Sequence, residues 1–427
     1  MMKPYRIYIV SRVFLATAFL FSLTAVADDL DGVLAKFPGK SEGETQMACA
    51  ALLAQEDAAL AALCDRIQPD SAGGADVTVR YAVSGLTKYI MTPDHAADRL
   101  RLEQVYLAAL QRAADTSVRF FLVLQLEWIA SEVSVPAMGA LLNTPELMEL
   151  AAMTLENVKG EAAGKALFEA LSSAPPACRP RIVKALGDLV YAPAKSALLA
   201  MLSDSDAALA AEARSALAGL GAREVESTLL TDFYQAADGA GRGVALGNLL
   251  RLRQRLIAQG DTEGAEALSR NLLELKDTST RVAGLEGLVT IKGAKAVADL
   301  TAAMADPDAV YRGAALRLAV RIEGADATKA WTKAFEKASP EARVQIIAML
   351  ATRRDNASRK AVAEAVEDDD AKVRMAALQT MDGKAASYTV KPLIELIEES
   401  DNAKERAAAA EAALRVPGDE VVDRAAK

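Results

Sequence analysis

The chain has 427 residues, of which 52% are hydrophobic but only 5% aromatic, and its formal net charge is −9. This length exceeds that of one ordinary globular core, so several domains or a repeat array are expected. Alanine and leucine, both strong helix formers, dominate the apolar residues, and long alternating runs of Val, Ile, Tyr and Phe are missing from the sequence. The composition therefore excludes a β-sandwich and favours an all-α protein.

Residues 1–27 have the pattern of a secretory signal peptide. Three basic residues precede the apolar stretch from Val13 to Leu23, and the small residues Ala25 and Ala27 stand just before Asp28. A membrane anchor is the alternative, but a bilayer span needs roughly 20 apolar residues and this stretch is shorter. We therefore expect cleavage after Ala27, no membrane span in the mature chain, and a periplasmic or secreted location.

The mature chain is predicted to be strongly acidic. Cleavage removes three basic residues and no acidic ones, so the formal net charge changes from −9 to −12. A chain of this charge repels the phosphate backbone of nucleic acids. We therefore expect a protein partner and no nucleic-acid partner.

Three cysteines follow the predicted cleavage site. An exported protein meets an oxidising compartment, so Cys49 and Cys64, on the two sides of one short predicted helical hairpin, can form a disulfide. The alternative is that Cys49, Cys64 and Cys178 are all small buried apolar residues, because the sequence does not fix the distance between two helices. The sequence leaves both hypotheses open.

One motif recurs along the chain, a helix-capping residue followed four positions later by arginine. It occurs eight times, in the pairs Asp76 and Arg80, Asp115 and Arg119, Asp238 and Arg242, Asp277 and Arg281, Asp308 and Arg312, Ser339 and Arg343, Asp370 and Arg374, and Asn402 and Arg406. The last six arginines are separated by 39, 31, 31, 31 and 32 residues. Three weaker copies, near Thr144, Arg181 and Asp206, fill the longest gap and bring the total to about eleven units.

This motif has a direct structural interpretation. Asp, Ser or Asn at a helix start accepts a hydrogen bond from a first-turn N–H group, and its charge or dipole suits that end of the helix. Arginine one turn later can reach the aspartate of its own unit or of the neighbouring one, which predicts a ladder of ion pairs along the array. Each unit also has an earlier helix, so the sequence predicts stacked αα-hairpins that cover one another's apolar faces.

The segments from Asp306 to Leu318 and from Asp368 to Leu378, with Asp, then Arg, then Ala-Ala-Leu, resemble HEAT repeats. They are similar to the short bacterial type, which is also described as similar to phycobilisome-lyase repeats. The resemblance covers roughly residues 75 to 415 and implies an all-α fold, an α-solenoid or superhelix of about eleven stacked antiparallel helix pairs. It is specific for the fold and not for the function, because such arrays serve many ends.

The predicted organisation has three parts. Residues 1–27 are the signal peptide, residues 28–74 form an N-terminal helical hairpin or cap, and residues 75–427 form the HEAT-like solenoid. Residues 251–275 depart from the repeat and are similar to a tetratricopeptide-type hairpin, which predicts an irregular unit there.

The sequence lacks the usual catalytic and metal-binding patterns. His95 is the only histidine and stands at a predicted helix start, where a solvated position is favoured over a role as ligand or general base. No two cysteines have the spacing of a zinc or redox motif. The glycines between Gly239 and Gly247 fall across a predicted helix start and do not follow a strand, so they do not form a phosphate-binding loop. We expect no catalytic residue, no cofactor and no metal.

Two further features have an alternative function. The acidic run from Glu367 to Asp370 contains potential calcium ligands, but a run of this kind at a turn favours a solvated helix entrance. Trp128 and Trp331 each lie within a helical apolar pattern, which predicts core packing, and lining of a binding groove is the alternative.

The predicted function is that of an exported protein–protein interaction scaffold that uses the solenoid surface and has no catalytic activity of its own. The resemblance to lyases that carry similar repeats implies an alternative, a lyase-like, chromophore-handling or small-molecule-handling protein with a site in the solenoid groove. Cys178 and scattered carboxylates are the candidate groups for that chemistry. The sequence does not identify the partner.

Overall fold

The structure is a computed structural model, and it describes residues 30–417. The described part contains twenty-four bounded α-helices and short 3-10 turns, and no β-strand. The chain splits into two compact units, Met1–Val225 and Glu226–Lys427. The predicted signal peptide lies outside the described residues.

The first unit consists of helices joined by short turns. Its helices are α1 Glu42–Leu53, α2 Asp57–Asp65, α3 Val77–Tyr89, α4 Ala96–Arg112, α5 Thr116–Ile129, α6 Val135–Leu141, α7 Pro145–Val158, α8 Gly160–Leu171, α9 Arg179–Asp188, α10 Lys195–Ala200 and α11 Ala207–Leu220.

The second unit has the same kind of organisation. Its helices are α12 Glu226–Gln235, α13 Gly239–Ala258, α14 Thr262–Leu273, α15 Thr278–Lys292, α16 Val297–Met304, α17 Ala309–Arg321, α18 Ala325–Phe335, α19 Pro340–Arg353, α20 Asn356–Glu364, α21 Ala371–Thr380, α22 Gly383–Ala386, α23 Val390–Glu399 and α24 Ala403–Leu414.

Short polar side chains begin many of these helices. Seven of the eight predicted capping side chains accept a hydrogen bond from a backbone N–H of the first turn. These seven are Asp115, Asp238, Asp277, Asp308, Ser339, Asp370 and Asn402. Asp76 differs, because its buried carboxylate instead accepts from the backbone N–H of Gln68 and from Nε of Arg80.

Two layers of helices form each unit. In the first unit, α1, α3, α5, α7, α9 and α11 pack consecutively in one layer, while α2 packs on α4 and α6 packs on α8 in the other. In the second unit, α15, α17, α19, α21 and α24 form one layer and α16, α18, α20 and α22 the other. This is the arrangement of an α-solenoid, in which each antiparallel helix pair is covered by the next.

The N-terminal hairpin α1–α2 is the first member of these layers. Its helices pack on α3 and α4 and bury Leu52, Leu60 and Leu63 almost completely. The segment 251–275 comprises the end of α13, the turn at Gly260 and helix α14, and α14 packs on α15.

Among the described helices, no single one has the length and apolarity to cross a membrane. Two consecutive helices, α1 and α2, meet those criteria only together, and their axes are bent by 115°.

Two glycines provide a test of the packing. Gly243, in the exposed first part of α13, has no atom within 4 Å of an added Cβ, whereas a Cβ on Gly187 of α9 would lie 2.5 Å from Cα of Ala216 in α11. Gly243→Ala is expected to raise the free energy of unfolding by about 0.5–1 kcal/mol, because alanine loses less backbone entropy on folding. Gly187→Ala is expected to lower it by about 1–3 kcal/mol through overpacking.

Urea denaturation followed by circular dichroism measures both changes. A lower urea midpoint for Gly243→Ala, or an unchanged midpoint for Gly187→Ala, would contradict the helix packing described above.

Candidate functional site

Three of the recurring arginines connect one repeat to the next. Arg281 pairs with Asp306, and Arg343 pairs with Asp368 at 2.6 Å, so both reach a carboxylate two positions before the next cap and not the cap itself. Arg374 pairs with Glu405 at 2.7 Å, again in the next unit. These ion pairs cross the interface between consecutive helices of one layer, and they therefore fix how the units stack.

Three of the recurring arginines, Arg374 among them, also donate to backbone carbonyls at the turns of their own repeats. Arg312 donates to the carbonyls of Asp306 and Pro307, and Arg374 donates to those of Asp368 and Asp369. These carbonyls lie just before the capped helices, where helical hydrogen bonding does not reach them. Arg406 makes the same contact with the carbonyl of Ser400.

The ladder is incomplete, because five of the eight recurring arginines form no ion pair with the next repeat in the described part of the chain; Arg312 and Arg406 have the backbone contacts given above. Arg80 pairs with the cap of its own unit, Asp76, at 2.8 Å and also with Asp70. Arg242 contacts only the backbone carbonyl of Asp238, and Arg119 forms no ion pair within residues 30–417. The predicted ladder is therefore discontinuous.

All three cysteines are buried free thiols in this structure. Burial raises the pKa of Cys49 to about 11 and that of Cys64 to about 12, so both are protonated at neutral pH. No bond joins Cys49 to Cys64 here, and the disulfide stays a prediction for oxidising conditions. Burial also raises the pKa of Cys178.

His95 and the two tryptophans occupy different environments. Nδ1 of His95 lies 2.7 Å from a carboxylate oxygen of Asp98, and its ring packs on Tyr89 with 4.9 Å between centroids. Trp331 is fully buried in the core of the second unit, as predicted. The prediction for Trp128 is wrong, because its side chain is 64% exposed.

The acidic run from Glu367 to Asp370 is divided between two structural roles. Asp370 caps α21 and Asp368 pairs with Arg343, which accounts for two of the four carboxylates. Within residues 30–417, no group of three or more His, Cys, Asp or Glu side chains has an arrangement that could hold a metal ion.

Trp128 belongs to an exposed aromatic face on the first unit. Phe120, Leu124 and Trp128 are spaced by four residues along α5, so they lie on one side of that helix. Tyr81, Gly85 and Tyr89 have the same spacing on α3. Of these, Tyr81 is 47% exposed and Phe120 is 44% exposed. We call the side chains of Tyr81, Tyr89, Phe120, Leu124 and Trp128 the aromatic face.

The repeat places these two rows side by side. Tyr81 and Phe120 each follow the fourth-position arginine, so they stand five residues after the caps Asp76 and Asp115, and Tyr89 and Trp128 both stand thirteen residues after them. Because α3 and α5 are consecutive in one layer, equivalent positions on them are neighbours. The two rows therefore occupy equivalent positions on neighbouring helices.

The sequence contains a signal for this face outside the cap-and-arginine motif. The residue directly after the repeat arginine is aromatic only in the units of Arg80 and Arg119. In the later units that position is occupied by smaller or aliphatic residues, namely Gly243, Val282, Gly313, Val344, Met375 and Ala407.

A cleft of about 1060 Å³ adjoins the aromatic face, between α1 and α3. Tyr81 and Tyr89 line it from α3, Cys49 lines it from α1, and His95 closes one end. Lys40 and Lys88 supply its positive charges. The cleft and the aromatic face therefore share Tyr81 and Tyr89 and form one candidate binding site.

The comparisons with known proteins agree with the repeat architecture over part of the chain. Residues 328–423 match the family model of the HEAT repeats. No curated protein matches the sequence.

Several solved structures are similar to the chain at low identity. Human deoxyhypusine hydroxylase in complex with glycerol is 18% identical over 68% of this chain and 97% of its own, with a TM-score of 0.24. A chain of the Pds5–Scc1 complex is 12% identical over 90% and 71%, with a TM-score of 0.39. Kap121p is 10% identical over 99% and 53%, with a TM-score of 0.38. All three TM-scores are below 0.5, so the solenoid fold rests on the stacked helix pairs described above.

The ion pairs between consecutive repeats predict how the stability of the protein depends on pH. The hydrogen bond from Arg281 holds the pKa of Asp306 below its usual value. The folded carboxylate therefore stabilises the protein above about pH 4, and this contribution is lost as the pH falls through the lowered pKa. Asp306→Asn is expected to lower the urea midpoint at pH 7 and to reduce its fall between about pH 5 and pH 3.

Asp369→Asn is the matched control, because the Asp369 side chain is exposed and forms no ion pair within the described part of the chain. Urea midpoints at five pH values compare the three proteins. If Asp306→Asn loses stability with acid as steeply as the wild type, the pair does not stabilise the stack.

Proposed function

We propose that this chain is an exported protein–protein interaction scaffold without catalytic activity of its own. The aromatic face is the observation that carries the proposal. Trp128, Phe120 and Tyr81 are between 44% and 64% exposed, at equivalent or aligned positions of two neighbouring helices that stacking does not cover. Large exposed apolar side chains on neighbouring helices favour an interaction site in a folded protein.

The residue types fit a protein interface. Trp and Tyr are enriched among the residues that contribute most to binding at interfaces, because they bury a large area and keep a polar atom for hydrogen bonding. The aromatic face lies on helices and not on loops. Little conformational entropy would therefore be lost when a partner binds to it.

The thiols support the absence of a nucleophile. Cys49, Cys64 and Cys178 all have raised pKa values, and a protonated buried thiol is a poor nucleophile. This favours the scaffold over the lyase-like alternative, which would need an activated group in the groove.

Alanine substitution on the aromatic face tests the scaffold. The mature chain, residues 28–427, is used to capture partners from an envelope extract, and captured proteins are identified by mass spectrometry after cross-linking. The double variant Phe120→Ala with Trp128→Ala is expected to reduce recovery of the main partner at least tenfold, since hot-spot residues of this type each contribute about 2 kcal/mol or more. Circular dichroism checks that the variant keeps its helix content.

Tyr388→Ala is the matched control, because Tyr388 lies on the second unit and is exposed to the same extent as Tyr81, 47%. This control is expected to recover the partner as the wild type does. Equal recovery by the double variant and the wild type would reject the aromatic face as the binding surface.

Export is a separate part of the proposal, supported by the basic, apolar and small-residue pattern of residues 1–27. Expression of the full chain in a bacterial host is expected to give a periplasmic or secreted protein that begins at Asp28. N-terminal sequencing of the fractionated protein measures this. An intact N-terminus in the cytoplasmic fraction would show that the segment is not a cleaved signal.

A further inference from the structure

The cleft beside the aromatic face has a glycine at the centre of its α3 wall. Gly85 lies one helical turn after Tyr81 and one turn before Tyr89, so a residue without a side chain separates two aromatic rings. The Cβ that Gly85 lacks would point at Sγ of Cys49, 3.4 Å away, and at the ring of Phe37. The wall between the tyrosines therefore has a recess one methyl group deep, and it is backed by sulfur and aromatic carbon.

The cleft above this recess suits one large apolar side chain, which lies over Gly85 because the recess itself admits only a methyl group. Rings that enter the cleft would contact Tyr81 and Tyr89 on two sides, and such aromatic contacts contribute beyond the area they bury. The thiol of Cys49 is protonated and adds a soft apolar surface and no charge. At about 1060 Å³, the cleft is larger than one side chain needs and has room for flanking backbone.

The charged side chains along the cleft favour an acidic ligand. Lys40 and Lys88 both line it, and neither forms an ion pair within residues 30–417. Glu42 is the one carboxylate in the lining, while the imidazole of His95 is already paired with Asp98. In a chain with 58 acidic and 49 basic residues, the lining of this cleft has two lysines and one glutamate, while Glu44 lies beside it and accepts from the backbone N–H of Lys40 at 2.8 Å. Charge complementarity therefore selects carboxylates next to the apolar anchor.

We propose that this cleft receives an extended segment of the partner protein in which an aromatic residue is flanked by aspartate or glutamate. The aromatic side chain enters the cleft over Gly85, between Tyr81 and Tyr89, and the flanking carboxylates pair with Lys40 and Lys88. This inference rests on the proposed scaffold function and specifies the chemistry of its partner. The shared tyrosines let the same partner cover the aromatic face at the same time.

A phage-displayed library of random heptapeptides, selected on the mature chain at low salt, tests this chemistry. We expect the enriched peptides to contain Phe, Tyr or Trp next to at least one Asp or Glu. The most enriched peptide is then synthesised with a fluorescent label, and its dissociation constant is measured by anisotropy. Replacement of its aromatic residue by alanine is expected to weaken binding at least tenfold.

Charge reversal on the protein locates the site. The variant Lys40→Glu with Lys88→Glu is expected to weaken the labelled peptide about tenfold at low salt and to reduce the salt dependence of its binding. Lys391→Glu, in the exposed part of the second unit, is the control and should bind as the wild type does. Gly85→Ala is a second test, because its added methyl makes only an ordinary contact with Cys49 and should preserve the fold while filling the recess.

The outcomes separate this inference from the proposed function. Enriched peptides without acidic residues, no enriched peptide, or peptide binding that ignores both the lysine reversal and Gly85→Ala would overturn the inference about the cleft. If the lysine reversal also leaves partner capture intact while the variant of Phe120 and Trp128 abolishes it, the scaffold stands without this cleft. If the peptide binds as expected but the aromatic-face variant captures the partner normally, the cleft stands and the aromatic face does not.

Discussion

The apolar face of each helix pair can be covered only by the next pair, and both units depend on this constraint. A single αα-hairpin buries the contact between its two helices and leaves its outer apolar faces in water, so stability grows with each added neighbour. The constraint accounts for the small residues at the stacking surfaces. In the first unit, α9 and α11 approach so closely that Gly187 faces the backbone of Ala216 without room for a methyl group. It also accounts for the ion pairs between consecutive units, such as Arg343 with Asp368, which fix the position of one pair on the next.

Stacking uses some positions of each helix and leaves others available for function. Phe120 and Phe121 show the difference within one turn of α5, because Phe121 is buried against the stack and Phe120 is exposed. Similarly, Ala82 and Val83 are fully buried on α3, while the preceding Tyr81 is exposed. Repetition then brings the unused positions of neighbouring helices together. A binding surface can therefore arise from substitutions at equivalent positions, without any change in the packing of the array.

The first unit differs from the second in what it presents at these positions. The aromatic face and the cleft adjoin each other through Tyr81 and Tyr89, and Gly85 lies between these two tyrosines in the wall of α3. The three thiols are buried in the packing, and the imidazole of His95 is hydrogen-bonded to Asp98. The arrangement is suited to holding another polypeptide, since its functional groups are rings and ammonium ions on rigid helices.

The sequence by itself determined the helical class, the repeat period and most of the helix starts, because caps and apolar spacing act within one or two turns of the chain. It also predicted the burial of Trp331 correctly.

Only the tertiary structure decided the exposure of Trp128, since its helical apolar pattern resembles that of a buried residue and only the neighbouring helices show which side of α5 is covered. The same holds for the partners of the arginines, which lie 25 or 31 residues away in the next unit. Glu103 is a further case: it is buried and accepts hydrogen bonds from the backbone and hydroxyl of Ser131 and the hydroxyl of Ser134. Contacts of this kind depend on how pairs of helices stack. A local sequence pattern contains no information about which residues are brought together from positions 25 to 31 residues apart.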